Sequence, residues 1–146
     1  MLTYKTYVMA RLEDYVDARA AVLTIPGRIE ELRLKRETLK MKLNDSQPVT
    51  GGGNRTEDAW IASLTEEDYL TRRLEASKAT VAEVEPLLDQ LTPEDRLIVE
   101  RTCMRRHKGD VEELCGELGY ERSAVYSMRD RAMRTLARLM TGEARA

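Results

Sequence analysis

A cluster of basic and hydroxyl side chains near the end of the chain has the composition of a nucleic-acid-binding surface. Between Gly119 and Met140, polar residues recur at spacings that place them on one side of an α-helix. Guanidinium groups bind phosphates, and short polar side chains hydrogen-bond to base edges in the grooves of DNA. The candidate DNA-binding residues of this helix are Arg122, Ser123, Tyr126, Ser127, Asp130, Arg131, Arg134 and Arg138.

A second basic group precedes this helix and consists of Arg105, Arg106 and Lys108, with His107 among them. These side chains have the charge to grip a phosphate or a surface of RNA polymerase. A basic cluster at the end of a helix also simply complements the helix dipole. The sequence leaves both interpretations open.

The chain has few residues from which a catalytic or metal site could be built. It has a single His, and the glycines at 51–53 lack the following Lys-Ser/Thr of a phosphate-binding loop. Cys103, His107 and Cys115 lack a clear fourth ligand for structural zinc. We therefore expect a protein that is not an enzyme and that holds neither a metal nor a cofactor.

Three helices are predicted to position the candidate DNA-binding residues. The first begins after Thr92 as cap with Pro93 at its first position, and the second has Asp110 and Glu113 as a capping box. Gly119 ends the second helix, and Glu121 or Ser123 caps the third. The core-facing stripe of the third helix is Val125, Met128, Ala132, Leu136 and Leu139. Two helices joined by a turn that contains Gly form a helix-turn-helix pattern.

The same residues resemble a known family. The segments that carry the resemblance are Leu91–Glu94, Leu114–Cys115, Leu118–Tyr120, Val125 and Arg131–Leu136. They look like region 4 of bacterial primary-type sigma factors, which reads an upstream promoter element and touches RNA polymerase. Tyr120, the Val125-Tyr126 pair and Ala132, together with the long helical N-terminal part, are similar to phage late-gene transcriptional regulators of the RinA and ArpU type. Glu121 stands where that family tends to have Ser, and Thr102 where it tends to have an aromatic residue.

The composition predicts an all-α protein. Charged residues make up 34% and apolar residues 42% of the 146 residues, with four Pro and no Phe. The net charge is −2, whereas proteins that bind DNA alone usually bring a strongly basic patch. We therefore expect weak binding by a single copy, with dimerisation or RNA polymerase adding affinity.

The first two thirds of the chain have the heptad-like spacing of long packed helices. A helix from Leu2 is expected to stop or kink near Thr24 or Ile25 and to restart at Pro26. Residues 44–57 have linker chemistry, and a further helix to Leu91 is expected to kink or end at Pro86. Arg36 occupies a seam position, where a charge can fix register. The predicted domains are a helical coiled-coil, oligomerising region at 1–90 and a DNA-binding domain at 91–146.

The remaining expectations concern location and partners. No signal sequence and no apolar run of the roughly 20 residues needed to span a bilayer stands out, so we expect a cytoplasmic protein without membrane contact. Its expected partners are double-stranded DNA, RNA polymerase and further copies of the chain.

Three functions fit these observations. The leading hypothesis is a phage or prophage transcriptional regulator of late genes. The alternative is the small subunit of a phage DNA-packaging terminase, which would form a ring of many copies. A third reading is a protein that masks polymerase without reading DNA, in which case replacing Arg131 and Arg134 by Ala would leave function intact.

Overall fold

The structure is a computed structural model that describes residues 3–45 and 53–142, and these residues form helices and short connections without a strand. The helices are α1 (Tyr4–Asp45), α2 (Gly53–Asp89), α3 (Pro93–Val99), α4 (Asp110–Leu118) and α5 (Arg122–Thr141). Residues Glu100–Met104 continue α3 as a π-helical turn. The predicted all-α class is confirmed. No helix in the described ranges combines the length and the apolarity needed to cross a bilayer.

Both long helices continue through their prolines. The sequence predicted that each helix would end or kink at its proline. Pro26 lies inside α1 and Pro86 inside α2, so neither helix ends there. A proline within a helix costs about 3 kcal/mol because it removes a hydrogen bond and crowds the preceding turn. Around Pro26, the buried side chains of Ile25 and Ile29 pack with Leu74. Burial of these side chains before and after Pro26 offsets the free-energy cost of the proline.

The linker predicted at 44–57 is partly helical, because α1 extends into its beginning and α2 into its end. Asn44 and Asp45 belong to α1, and residues 53–57 belong to α2. The rest of the predicted linker, 46–52, lies outside the described residues.

Contacts divide the chain into two compact units. Unit 1 comprises Met1–Asp17 and Ala79–Ala146, and unit 2 comprises Ala18–Lys78. This division differs from the predicted domains at 1–90 and 91–146. The reason is that the beginning of α1 and the end of α2 share a core with α5.

Unit 2 is built from the middle and end of α1 and the first two thirds of α2. Arg28 pairs with Glu66 and Arg36 with Glu67, while Ile29 packs in one cluster with Leu74. Because the higher-numbered residues of α1 meet the lower-numbered residues of α2, the two helices run antiparallel within this unit.

Unit 1 has two apolar clusters. In the larger cluster, Val8, Leu12 and Tyr15 of α1 are completely buried with Leu88 of α2 and Leu136 of α5. The second cluster joins the three C-terminal helices, and its buried members are Ile98, Val111, Leu114 and Val125. α5 is therefore held on one side by α3 and α4 and on another by α1.

The ends of α3 and α4 show which capping signals are used. Thr92 Oγ1 accepts a hydrogen bond of 3.1 Å from the backbone N–H of Asp95, and Pro93 is the first helical residue, as predicted. Gly119 ends α4 with φ of +74°, a left-handed conformation that glycine adopts without steric cost.

The predicted capping box of Asp110 and Glu113 is wrong. The cap of α4 is Gly109, with φ of +88° and no side-chain hydrogen bond, and Asp110 is already helical. Its carboxylate instead accepts from the backbone N–H of His107 at 3.3 Å. Glu121 occupies the cap position of α5 but forms no side-chain capping hydrogen bond.

Candidate nucleic-acid interface

The orientation of α5 is fixed by its apolar side. Val125, Ala132 and Leu136 are completely buried, and Met128 and Leu139 are half-buried, so the predicted core-facing stripe is confirmed. Val125 lies in the same cluster as Leu114 of α4. The side of α5 opposite to this stripe consequently faces outward.

The first two turns of α5 present four of the candidate residues to solvent. Arg122, Ser123, Tyr126 and Ser127 are all exposed. The Arg122 guanidinium donates to the Tyr126 hydroxyl at 3.3 Å, and its carbon lies 5.6 Å from the centre of the Tyr126 ring, within cation–π range. We call this exposed Arg122–Tyr126 pair the platform at the start of the helix.

This platform borders a recess that also contains part of the basic group before α4. Arg106 and Lys108 line the recess together with Arg122 and Tyr126. Two carboxylates, those of Asp110 and Glu112, interrupt the basic surface, and Glu112 lies 3.2 Å from the Arg122 guanidinium. The hydrogen bond to Tyr126 and the nearby charge of Glu112 raise the pKa of Arg122 above its usual value. Arg105 is exposed just before this recess, at the end of the π-helical turn.

The second half of α5 is engaged with the protein itself. Arg131 pairs with Asp95 at 2.8 Å, and the Asp95 side chain is only 9% exposed. This hydrogen bond raises the pKa of Arg131. The Arg138 guanidinium donates to Thr135 Oγ1 at 3.4 Å within the same helix. Both arginines thus have partners within the protein, although the Arg131 side chain is still 63% exposed.

Two residues of α1 adjoin this part of α5, and neither was predicted from the sequence to belong to the site. The Arg134 guanidinium donates to the Tyr4 hydroxyl at 3.3 Å, which raises the pKa of Arg134, and Lys5 pairs with Asp130 at 3.0 Å. These contacts could not be predicted from local sequence patterns, because the partners are about 130 residues apart along the chain.

The residues considered for zinc lie in different surroundings. Cys103 Sγ is 3.8 Å from Met133 Sδ in the larger cluster of unit 1, whereas Cys115 packs against the cluster between α3, α4 and α5. His107 lies on the exposed loop before α4, with its Nε2 3.5 Å from Glu113. Within residues 3–45 and 53–142, no group of three His, Cys, Asp or Glu side chains is arranged to hold a metal ion.

No protein-family model, curated protein or solved structure matches the chain. Its function is therefore inferred from the site itself.

Proposed function

We propose that the protein is a sequence-specific, DNA-binding transcriptional regulator in which α4 and α5 act as a helix-turn-helix. The observation that carries the proposal is the exposure of Arg122, Ser123, Tyr126 and Ser127 on the first two turns of a helix whose opposite side is locked into a core. In helix-turn-helix proteins the start of the second helix contacts base edges in the major groove. Arginine and serine are suited to that contact because they donate to base acceptors.

The basic loop before α4 supplies the backbone contacts in this proposal. Arg105, Arg106 and Lys108 are exposed, and two of them share a recess with Arg122. Phosphate contacts of this kind set the register of the protein on the duplex. Glu112 repels phosphate and must release Arg122 when DNA binds. Breaking this ion pair lowers the affinity for DNA, and only a matching base compensates for its loss.

The arginines farther along α5 have a supporting role. Arg131 ties α5 to the first turn of α3 through Asp95, and Arg134 ties it to α1 through Tyr4. They reach DNA only at the edge of the interface. Reading of bases is therefore assigned to Arg122, Ser123 and Ser127.

RNA polymerase is the proposed source of additional affinity, as the resemblance to phage late-gene regulators with a sigma-like C-terminus implies. The net charge of −2 argues against tight binding by one copy. If three or four phosphates are contacted, the plot of log K against log salt has a slope of about −3 to −4. Such a small slope means that few counterions are released, so little of the affinity comes from this electrostatic contribution.

The test is selection of a binding sequence from a random duplex pool, followed by fluorescence anisotropy on the selected duplex with and without RNA polymerase. We expect Arg122→Ala to weaken binding by roughly 1–3 kcal/mol and to relax preference at one or two base positions. The Arg106→Ala variant should weaken binding to all sequences alike and reduce the salt slope by about one.

The matched control is Arg72→Ala. Arg72 is an exposed arginine of unit 2 that, among the residues the structure describes, pairs with the nearby Asp68, so its loss removes the same charge away from the interface. Binding of this variant should equal that of the unmodified protein. Failure to enrich any sequence, with or without polymerase, contradicts the proposal, as does an Arg122→Ala variant that keeps both affinity and preference.

A further inference from the structure

Unit 2 leaves an unusual share of large apolar side chains in solvent. Leu34, Met41, Ile61, Leu64 and Tyr69 are each between 44% and 64% exposed. Single exposed apolar residues are normal on a protein surface, but a concentration of them marks a contact with another molecule. Two of the five, Ile61 and Leu64, line one groove of this unit, which is the candidate binding surface.

The reason for this exposure is a polar seam between α1 and α2. Arg36, with a side chain only 11% exposed, donates to Glu67 at 2.7 Å and to the hydroxyl of Ser63 at 3.1 Å. Ser63 is the only residue of α2 between positions 55 and 73 that is fully buried. Because polar groups occupy the seam, Trp60, Ile61 and Leu64 are left beside it instead of inside it.

These three apolar residues form part of an open groove along one side of the unit. The groove runs between Arg33, Arg36, Glu37 and Lys40 on α1 and Glu57 on α2, with Trp60, Ile61 and Leu64 forming its apolar lining. An amphipathic helix bound in a groove buries one apolar stripe and leaves polar residues at the rim. The groove has an apolar lining and a polar rim of this kind.

The charges at the rim restrict the kind of partner. Arg33 and Arg36 share the single carboxylate of Glu67, at 3.1 and 2.7 Å, so one of their two positive charges stays unbalanced. Lys40, Glu37 and Glu57 complete the rim. Together with the shared carboxylate of Glu67, the rim thus has as many negative as positive charges. A groove with both signs of charge has no net attraction for a nucleic acid or an anionic membrane. It fits a partner that also carries both signs.

We propose that this groove is the surface through which a second copy of the chain binds, so that two units 2 pack into a four-helix arrangement. A twofold axis brings each residue of one surface against a different residue of the same surface in the other copy. Lys40 of each copy then meets Glu57 of the other, and the two sets of Trp60, Ile61 and Leu64 cover each other. The proposal is independent of DNA binding.

The first test is the mass of the full-length protein in solution, measured by light scattering over a range of concentrations. We expect twice the 16.7 kDa of one chain, with a dissociation constant on the order of 1 µM or tighter. The Leu64→Glu variant should be a monomer, because a carboxylate would be buried without a partner. Leu23→Glu is the matched control: Leu23 is 78% exposed on the same unit but does not line the groove, so this variant should remain a dimer. Circular dichroism confirms that both variants are folded.

The second test asks whether Lys40 and Glu57 meet between copies. The variants Lys40→Glu and Glu57→Lys each place like charges across the interface, and each should dimerise roughly tenfold more weakly than the unmodified protein. A mixture of the two variants should recover the original affinity, since both pairs in the mixed dimer have opposite charges. Pairing within one chain cannot produce this recovery on mixing.

A monomer at all concentrations overturns the proposal. A mass far above that of two copies overturns it as well, because a closed twofold pair cannot grow. Loss of dimer in Leu23→Glu, or no recovery in the mixture, also contradicts it. Since mass is measured without DNA, a negative result here leaves the DNA-binding experiment unaffected, and the reverse holds too.

Discussion

Arg36 is a charged residue on the side of α1 that packs against α2. Its guanidinium, together with that of Arg33, hydrogen-bonds to the Glu67 carboxylate, and it also contacts Ser63. A paired charge at such a seam adds little to stability compared with an apolar pair, but it penalises any shift of one helix along the other. The predicted role of Arg36 in fixing register therefore has a structural basis in these contacts.

The Glu67 carboxylate makes this seam sensitive to pH. The hydrogen bond from Arg36, and a further one from Arg33, lower the pKa of Glu67 below its ordinary value of 4.5. A group with a lowered folded-state pKa stabilises the fold above its unfolded-state pKa, and this contribution disappears as the pH falls through the folded-state pKa. We expect Glu67→Gln to be less stable than the unmodified protein at pH 7, with a difference that shrinks below pH 4.5.

Urea unfolding at several pH values measures this effect. Glu30→Gln is the matched control, because Glu30 is an exposed carboxylate on the same unit, outside the seam. A Glu67→Gln variant whose loss of stability does not change with pH would show that the charge of Glu67 is unimportant.

At the scale of elements, α4 has two glycines in opposite situations. Gly116 lies inside the helix, and a Cβ added there would meet no atom within 4 Å. Gly119 ends the helix with φ of +74°, a conformation that other residues adopt only with strain. The position that can accept a side chain and the position that cannot are thus three residues apart.

We expect the two glycines to respond to alanine with opposite signs. Gly116→Ala should stabilise the protein by about 0.5–1 kcal/mol, because alanine loses less backbone entropy on forming a helix. Gly119→Ala should destabilise it by roughly 1–2 kcal/mol, because alanine is strained in the left-handed region. Urea unfolding followed by circular dichroism gives both values, and the same sign for both variants would be evidence that α4 does not end at Gly119.

At the scale of the whole molecule, the helices that carry the candidate site depend on residues from the other end of the chain. Leu12 is completely buried in the larger cluster of unit 1, which also contains Ala132, Met133 and Leu136 of α5. The site is therefore supported by α1 as well as by α3 and α4.

The Leu12→Ala substitution should cost about 2–5 kcal/mol and loosen α5. Hydrogen exchange of the α5 amides measures this directly, because local opening follows local stability. Leu32→Ala is the control, since Leu32 is equally buried but belongs to unit 2. Equal exchange in α5 for both variants would mean that Leu12 gives α5 no special support.

The sequence by itself determined those features that depend on residues three or four positions apart. These include the cap formed by Thr92 and Pro93, the left-handed end at Gly119 and the buried stripe of α5 from Val125 to Leu136. Each follows from backbone conformation or helical periodicity, which a short segment expresses alone.

Only the tertiary structure decided the features that depend on distant partners. α1 continues through Pro26 because Ile25 and Ile29 are buried against α2. Likewise, Arg134 meets Tyr4, and the beginning of α1 completes the core beneath α5. Packing between residues far apart in the chain outweighs local preference, and neither composition nor spacing records which surfaces will meet.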